Sequence, residues 1–374
     1  MRTFLALLGL AAATAPAAAE PAFAGWRSGA VIDMSAASRG LALGQRPRGL
    51  GLGHSDASAS GPVGDLLEAQ GTLSVHSDER RVEGEIEEAW MQTRALPAGL
   101  QVRAGRFSSQ LGYLNEQHSH ADDFVERPLL YRAFLGGHYY DDGVRLNWTA
   151  PTDLYLRLGA EWFAGTQLVQ EAVSPSRRGV FVLSAKTGGD LDASQSWQVG
   201  LSFLHNRREA AVEEHEEGED EHGDEGHAHA HGAAFSGRRM WMAELAWKWA
   251  PEGNNARQQV RVAYEIARVT GLNRFATRSD RHLAQYLSAV WRFAPTWEAG
   301  VRHDLLRVRA PHEDHFDDGR LRETSLMLAW KPSHAQTLRV QYTHQRNGAG
   351  FDQAARALQL QYILSFGAHA AHSF

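Results

Sequence analysis

Alternation with a period of two residues governs this chain from about residue 66 onward. In LYLRLGAEW, Leu154, Leu156, Leu158, Ala160 and Trp162 share one face while Arg157 and Glu161 lie on the other. In QVRVAYEIA, Val260, Val262, Tyr264 and Ile266 oppose Arg261 and Glu265. The last stretch keeps one parity from Leu358 through Leu360, Tyr362, Leu364, Phe366, Ala368, Ala370 and His372 to Phe374, against Gln359, Gln361 and Ser365. Successive side chains of an extended backbone point to opposite faces, so each stretch is a strand with one apolar and one polar face.

A soluble sandwich would show the same alternation, with similar turns at both ends of its strands. Here the turns differ by end. One set is short: ALPAG at 95–99, WTAPTD at 148–153, LDASQ at 191–195, WAPEGN at 249–254, FAPTW at 293–297 and WKPSHA at 330–335. In four of them Trp148, Trp249, Phe293 or Trp330 precedes a proline by two or three residues. The other set is long and polar, at 109–140, 166–177, 207–237, 270–280, 310–320 and 347–353, and the two sets alternate. This pattern predicts an all-β, transmembrane antiparallel β-barrel with short periplasmic turns, long external loops and an aromatic girdle.

The alternation places about sixteen strands, near 28–39, 53–60, 66–77, 82–95, 100–108, 141–150, 154–165, 178–190, 194–206, 238–250, 256–269, 281–294, 296–309, 321–331, 336–346 and 354–366. The number is even, as expected of bacterial barrels, and both chain ends then fall on the periplasmic side. A barrel of this size encloses water rather than a packed core. Inward parity falls on Arg103, Arg145, Arg157, Glu161, Glu265, Arg292, Arg302, Asp304, Arg339, Gln341, Gln359 and Gln361, charges and amides that a dry core would not tolerate in such numbers. The chain is thus expected to be the wall of a channel.

The N-terminal MRTFLALLGLAAATAPAAAE has one arginine, an apolar run and small residues at Ala17 and Ala19, the form of a secretory signal peptide. Cleavage after Ala19 is expected, with Ala24 as a second position. This divides the chain into a signal segment, 1–19, and a barrel, 20–374. No later run reaches the roughly 18 apolar residues of a transmembrane helix. With no cysteine there are no disulfides and no thiolate chemistry. Placement in the outer membrane of a Gram-negative bacterium follows, with contact to outer-membrane lipid and delivery to the barrel-assembly machinery through the strand ending at Phe374. A homo-oligomer is compatible with this architecture; a nucleic-acid partner is not expected.

Two segments gather metal-capable side chains. Between strands nine and ten, residues 209–231 hold ten Asp/Glu and no Lys/Arg, so this stretch carries −10 and leaves +4 for the rest of a chain whose formal net charge is −6. Within the external loop 207–237, His215, His222, His227, His229 and His231 supply imidazoles, which suit zinc, copper and nickel. The glycines at 218, 223, 226 and 232 argue for weak, multiple sites rather than a fixed tetrahedral cage. A solvated acidic loop is the plainer alternative. The second segment is YLNEQHSHADDF, with Glu116, His118, His120, Asp122 and Asp123 inside the 109–140 loop. This is the third external loop, which in general porins folds inward and constricts the lumen, and the following PLLYRAFLGG suits a loop packed against a wall. Histidines that merely structure the loop are the alternative. PHEDH at 311–315 and the tail histidines His369 and His372 are expected to be solvated. His54, His76, His138, His205, His282, His303, His334 and His344 are scattered singly and receive no role.

The run YLNEQHSHADDFVERPLLYRAFLGGHYYDDGVRLNWTAPTDLYLRLGAEWF (113–163), the preceding EIEEAWMQTRALPAGLQVRAGRF and the later histidine- and acid-rich loop resemble a family of zinc-regulated outer-membrane proteins, related more loosely to phosphate-selective-type porins. The resemblance covers most of the mature chain and is densest at 85–163. It implies zinc acquisition when the metal is scarce. The label of TonB-dependent receptor, carried by some members, does not suit a chain too short for 22 strands and a plug.

The expected function is therefore uptake of a divalent transition metal, zinc first, with Zn2+ as cargo or loop-bound ion and no prosthetic group. The alternative is a general or anion (phosphate-type) porin whose loop only buffers metal, motivated by the +4 remainder and the inward arginines. An enzyme is not expected, since no nucleophile–base grouping stands on a strand edge and G-x-S-x-G is absent.

Overall fold

The computed structural model describes residues 25–78, 81–169, 179–208, 232–312, 314–348, 350–351 and 355–367. Seventeen β-segments form one antiparallel sheet. They are β1 (Arg27–Ala37), β2 (Gly49–Leu52), β3 (Ser55–Val63), β4 (Leu67–Asp78), β5 (Arg81–Thr93), β6 (Leu100–Ser108), β7 (Tyr140–Thr149), β8 (Tyr155–Phe163) and β9 (Val180–Asp192), followed by β10 (Gln195–Asn206), β11 (Arg239–Trp249), β12 (Gln259–Thr270), β13 (Arg281–Ala294), β14 (Trp297–His312), β15 (His315–Ser333), β16 (Gln336–Asn347) and β17 (Arg356–Gly367). Met34 of β1 faces Leu52 of β2, and Val31 faces Asp56 of β3, so three steps along β1 span four along its neighbour. β2 and β3 are thus two halves of one barrel strand joined by a bulge at Gly53–His54. β1 also pairs with β17, from Gly29 opposite Gly367 to Ala37 opposite Gln359. The sheet closes on itself as a sixteen-stranded barrel.

The short turns repeat one backbone solution. In Leu96-Pro97-Ala98-Gly99 and Ala250-Pro251-Glu252-Gly253, a proline is followed by two left-handed residues: φ is 59° and 76° in the first turn, 51° and 71° in the second. A Cβ on Gly99 would lie 2.2 Å from the Thr149 carbonyl oxygen, so only glycine fits there. Outward positions expose leucine, valine and aromatics, with Trp291, Phe293, Trp297 and Trp330 toward the edge of the short turns. A closed sheet leaves no unpaired backbone, which lets this apolar exterior face lipid.

Two expectations fail. The stretch 310–320 is not a polar loop: β14 and β15 run into it, and His312 pairs with His315. Alternation there persists through Arg320 and Arg322 although the outward residues turn polar, which hid the strand. The interior is also not uniformly wet. The loop 109–139 carries a helix, α1 (Leu129–Leu135), whose seven residues are all buried. Its leucines and Phe134 pack on Phe107, Leu204, Met242, Leu306, Val308 and Leu321, the inward residues of the external half of the barrel. Arg145, Glu265, Arg302, Asp304 and Arg339, expected to line water, are buried as well. Each is compensated by hydrogen bonds, many of them to the inserted loop. The signal segment 1–19, the histidines of 209–231 and Phe374 lie outside the described residues.

Candidate metal centre between the wall and the inserted loop

The loop 109–139 is held from all sides. Lys186 of β9 donates to the Gly112 carbonyl at 2.7 Å, Tyr113 donates its amide to Glu265 of β12 at 2.9 Å, and Leu129 donates to Asp304 of β14 at 3.0 Å. Arg302 reaches the Glu126 carbonyl at 2.6 Å, and Arg339 of β16 reaches the Asp122 carbonyl at 2.7 Å. Arg127 folds the loop on itself, binding the Asp122 carboxylate at 2.8 Å and the carbonyls of Gly137, Leu114 and Gln117. These contacts come from strands around the whole barrel, so the loop crosses its interior.

Against β3 and β5 the contacts are of another kind. Thr72 of β4 faces Glu88 while Leu73 faces Ile86, which leaves Glu87 as the extra residue of a bulge. A bulge turns two consecutive side chains to one face, and Glu87 and Glu88 are both buried. Gly53 serves the other bulge: a Cβ there would lie 1.5 Å from Arg46 Nη1, whose guanidinium crosses this backbone to bind Asp33 at 2.6 Å. The result is that His54 and Glu87, from non-adjacent strands, converge with His118 from the loop. His54 Nε2 stands 2.8 Å and His118 Nδ1 3.3 Å from Glu87 Oε2, and His138 Nδ1 stands 2.7 Å from Glu87 Oε1. His118 Nε2 is 3.6 Å from Glu88, and His120 Nδ1 is 3.0 Å from Asp56. The rings of His118 and His120 stack at 5.6 Å.

Despite these distances, Asp56 Oδ2, Glu87 Oε1, His118 Nδ1 and His120 Nδ1 are buried without a hydrogen bond of acceptable geometry. Buried polar atoms are nearly always satisfied, so four together are a signal. Ligand atoms of His54, Glu87 and His118 all lie within 4.8 Å of one another, the one such trio among the described residues. Two imidazoles and a carboxylate with open positions match the donor set of transport and catalytic zinc sites rather than of a closed structural one. Burial alone would depress the His118 imidazole, but the Glu87 and Glu88 carboxylates outweigh it and hold its pKa well above the ordinary value. His138 is depressed, because burial there outweighs Glu87.

Of the residues expected from sequence, His118 and His120 join this centre. Glu116 is drawn to Arg157 at 2.7 Å, with Arg145 and Lys186 beyond, and these cations hold its carboxyl far below the usual range against the effect of burial. Asp122 pairs with Arg127 and Asp123 with Arg261 at 2.6 Å. Their negative charge is already matched by these cations, and none of the three belongs to the His54–Glu87–His118 trio. His54 and His138, given no role above, belong to it, and so do Asp56, Glu87 and Glu88. A signal for Glu87 was present: Ile86 and Met91 both face lipid, each 52 % exposed, yet lie five residues apart. An odd interval on one face of a strand requires one extra residue between.

No family model matches the chain. An uncharacterized protein of Aquifex aeolicus is 27% identical over 362 residues, which cover 87% of this chain and 70% of that protein. Among solved structures, the chain is similar to Pseudomonas putida OprB (TM-score 0.58, 11% identity, 92% of this chain and 94% of that one). It is also similar to the outer membrane channel DcaP of Acinetobacter baumannii (0.54, 11%, 91% and 96%) and to an anion-selective porin from Comamonas acidovorans (0.54, 12%, 91% and 99%). At these identities the likeness is one of fold. Closed barrel, apolar exterior and porin-like architecture together define an outer-membrane β-barrel of the porin type.

Proposed function

We propose that this barrel is a channel for uptake of a divalent transition metal, zinc first, and that His54, Glu87 and His118 form its internal station. The observation that carries the reading is the convergence of ligand atoms of His54, Glu87 and His118 within 4.8 Å of one another, in a buried cluster where Asp56, Glu87, His118 and His120 each keep an atom without a hydrogen bond. His120 with Asp56 lies beside the trio and offers a neighbouring pair of ligands. Alkali cations gain little from imidazole, so the donor set favours a transition metal. The external loop bearing His215, His222, His227, His229 and His231 would collect the ion, and the centre would accept it. In proteoliposomes, replacing His54 and His118 with alanine should lower zinc flux far more than potassium conductance. An equal fall in both would mean that the histidines only shape the loop.

A second reading has its own observation. Arg157, Lys186, Glu116 and Asp190 line a cavity of about 330 Å3 with Tyr113, Tyr155 and Trp197, and among the described residues Arg103 has no carboxylate at ion-pair distance, bonding Gln92 at 2.8 Å instead. The cations of this wall, with Arg103 bonded to an amide rather than an acid, suit a general or anion-conducting porin. Reversal potentials across a potassium chloride gradient separate the two readings.

A further inference from the structure

The outer surface of the barrel is asymmetric in a way the channel function does not use. On β15, the outward residues run Trp330, Leu328, Leu326, Thr324, Arg322, Arg320 from the short-turn edge toward the external edge, all but Thr324 exposed. Eight to ten residues separate Trp330 from the two arginines, about 26–33 Å along a strand. Tilted by ~40°, that spans the apolar band of roughly 25 Å. The arginines therefore stand where lipid hydrocarbon ends on the external side. Arg307 on β14 lies directly opposite Arg320, and Arg346 on β16 directly opposite Arg322. Arg268 and Arg281 continue the arc along β12 and β13, and Arg356 continues it on β17, all of them exposed.

Like charges directly opposite one another on a sheet destabilise it. None of Arg307, Arg320, Arg322 and Arg346 has a carboxylate within ion-pair distance among the described residues. Just beyond them Arg309 does, at 3.1 Å from both Asp280 and Asp318, and on the far wall Arg106 pairs with Asp142 at 2.8 Å. Where this surface is to be neutral, it supplies the acid itself. At the four-arginine patch no described residue supplies one.

We propose that Arg307, Arg320, Arg322 and Arg346 form a binding site for the phosphorylated headgroups of outer-leaflet glycolipid. Guanidinium forks bind phosphate oxygens in pairs. Leu326 and Leu328 below them offer the same lipid molecule an apolar wall for its acyl chains. The site is one-sided and lies wholly outside the lumen, so it is independent of the metal centre.

The test uses the full chain in detergent, with bis-phosphorylated lipid A and its dephosphorylated form as probes, and native mass spectrometry or fluorescence titration as the readout. The wild type should prefer the phosphorylated form by about tenfold or more. The R307Q/R320Q/R322Q/R346Q variant should bind both forms within about twofold, with potassium conductance unchanged. Equal binding of the two lipids by the wild type would overturn the proposal, and this arm needs no variant to fold. A variant that keeps the preference, or that changes only self-association, would overturn it too.

Discussion

The inserted loop presents opposite chemistry to the two sides of the barrel. Toward β12–β17 and β7–β9, each of its carboxylates finds a cation or an amide. Asp123 has Arg261, Glu116 has Arg157, and Glu126 accepts from the amides of Gln45 and Arg46 and from Gln359. Toward β3 and β5, His118 and His120 meet carboxylates at contact distance, with ring nitrogens that make no hydrogen bond of acceptable geometry. Both sides bury charged groups, so burial and charge alone do not distinguish scaffold from site. Partnering differs: on the first side every loop carboxylate has its cation or amide, and unbonded buried atoms such as Arg132 Nε and Arg339 Nε belong to guanidiniums bonded through their other nitrogens, whereas on the second side they gather on two histidines and two carboxylates.

The first side should break hardest. Arg302 holds Asp304 at 2.7 Å, Glu323 at 2.9 Å and the Glu126 carbonyl. Arg302→Ala would leave two carboxylates buried beside each other, a loss of about 3–5 kcal/mol. The thermal midpoint of the refolded barrel should fall by many degrees, and potassium conductance should rise as the loop loosens. An unchanged midpoint would show that the loop is held mainly by its apolar helix.

On the second side the expected loss is of ligand rather than of structure. Glu87→Gln keeps the shape but removes the charge that three imidazoles share, and zinc affinity should drop by on the order of a hundredfold. The metal-free midpoint should move much less than in Arg302→Ala. Asp123→Asn on the opposite side should leave zinc affinity within about twofold, measured by the same calorimetric titration. Comparable losses in Glu87→Gln and Asp123→Asn would erase the distinction between the two sides.

The barrel was legible because lipid outside and polar groups inside impose period two on every strand, and all sixteen strands overlap their expected places, with β15 starting six residues early at His315. The inserted helix was legible only as an apolar stretch, since LLYRAFL is too short for a helical period to show. The centre was half legible. H-x-H at His118 and His120 is local, but His54 and Glu87 are brought in by two bulges, and register across a closed sheet is not written in any one segment. For Glu116, Asp122 and Asp123, sequence shows the carboxylates but not the arginines that pair with them: Arg145 and Arg157 from β7 and β8, Arg127 from the loop itself, and Arg261 from β12.

The smallest effect on the barrel itself should come from removing residues 209–231, which lie between β10 and β11 at the same edge as the inserted loop. No described wall contact depends on them, so the deletion should leave conductance and thermal midpoint unchanged. Their charge of −10 raises local cation concentration over roughly one Debye length, ~8 Å at physiological ionic strength. Imidazoles spaced by alanine and glycine add weak ligation, and weak sites release what they catch. The gain matters only when the ion is dilute, because at high concentration the internal centre fills without help. Zinc uptake by cells should therefore fall several-fold under chelation and stay level in replete medium. Uptake that falls equally in both media would assign these residues to the conduction path, and uptake unaffected in either would make them a solvated surface.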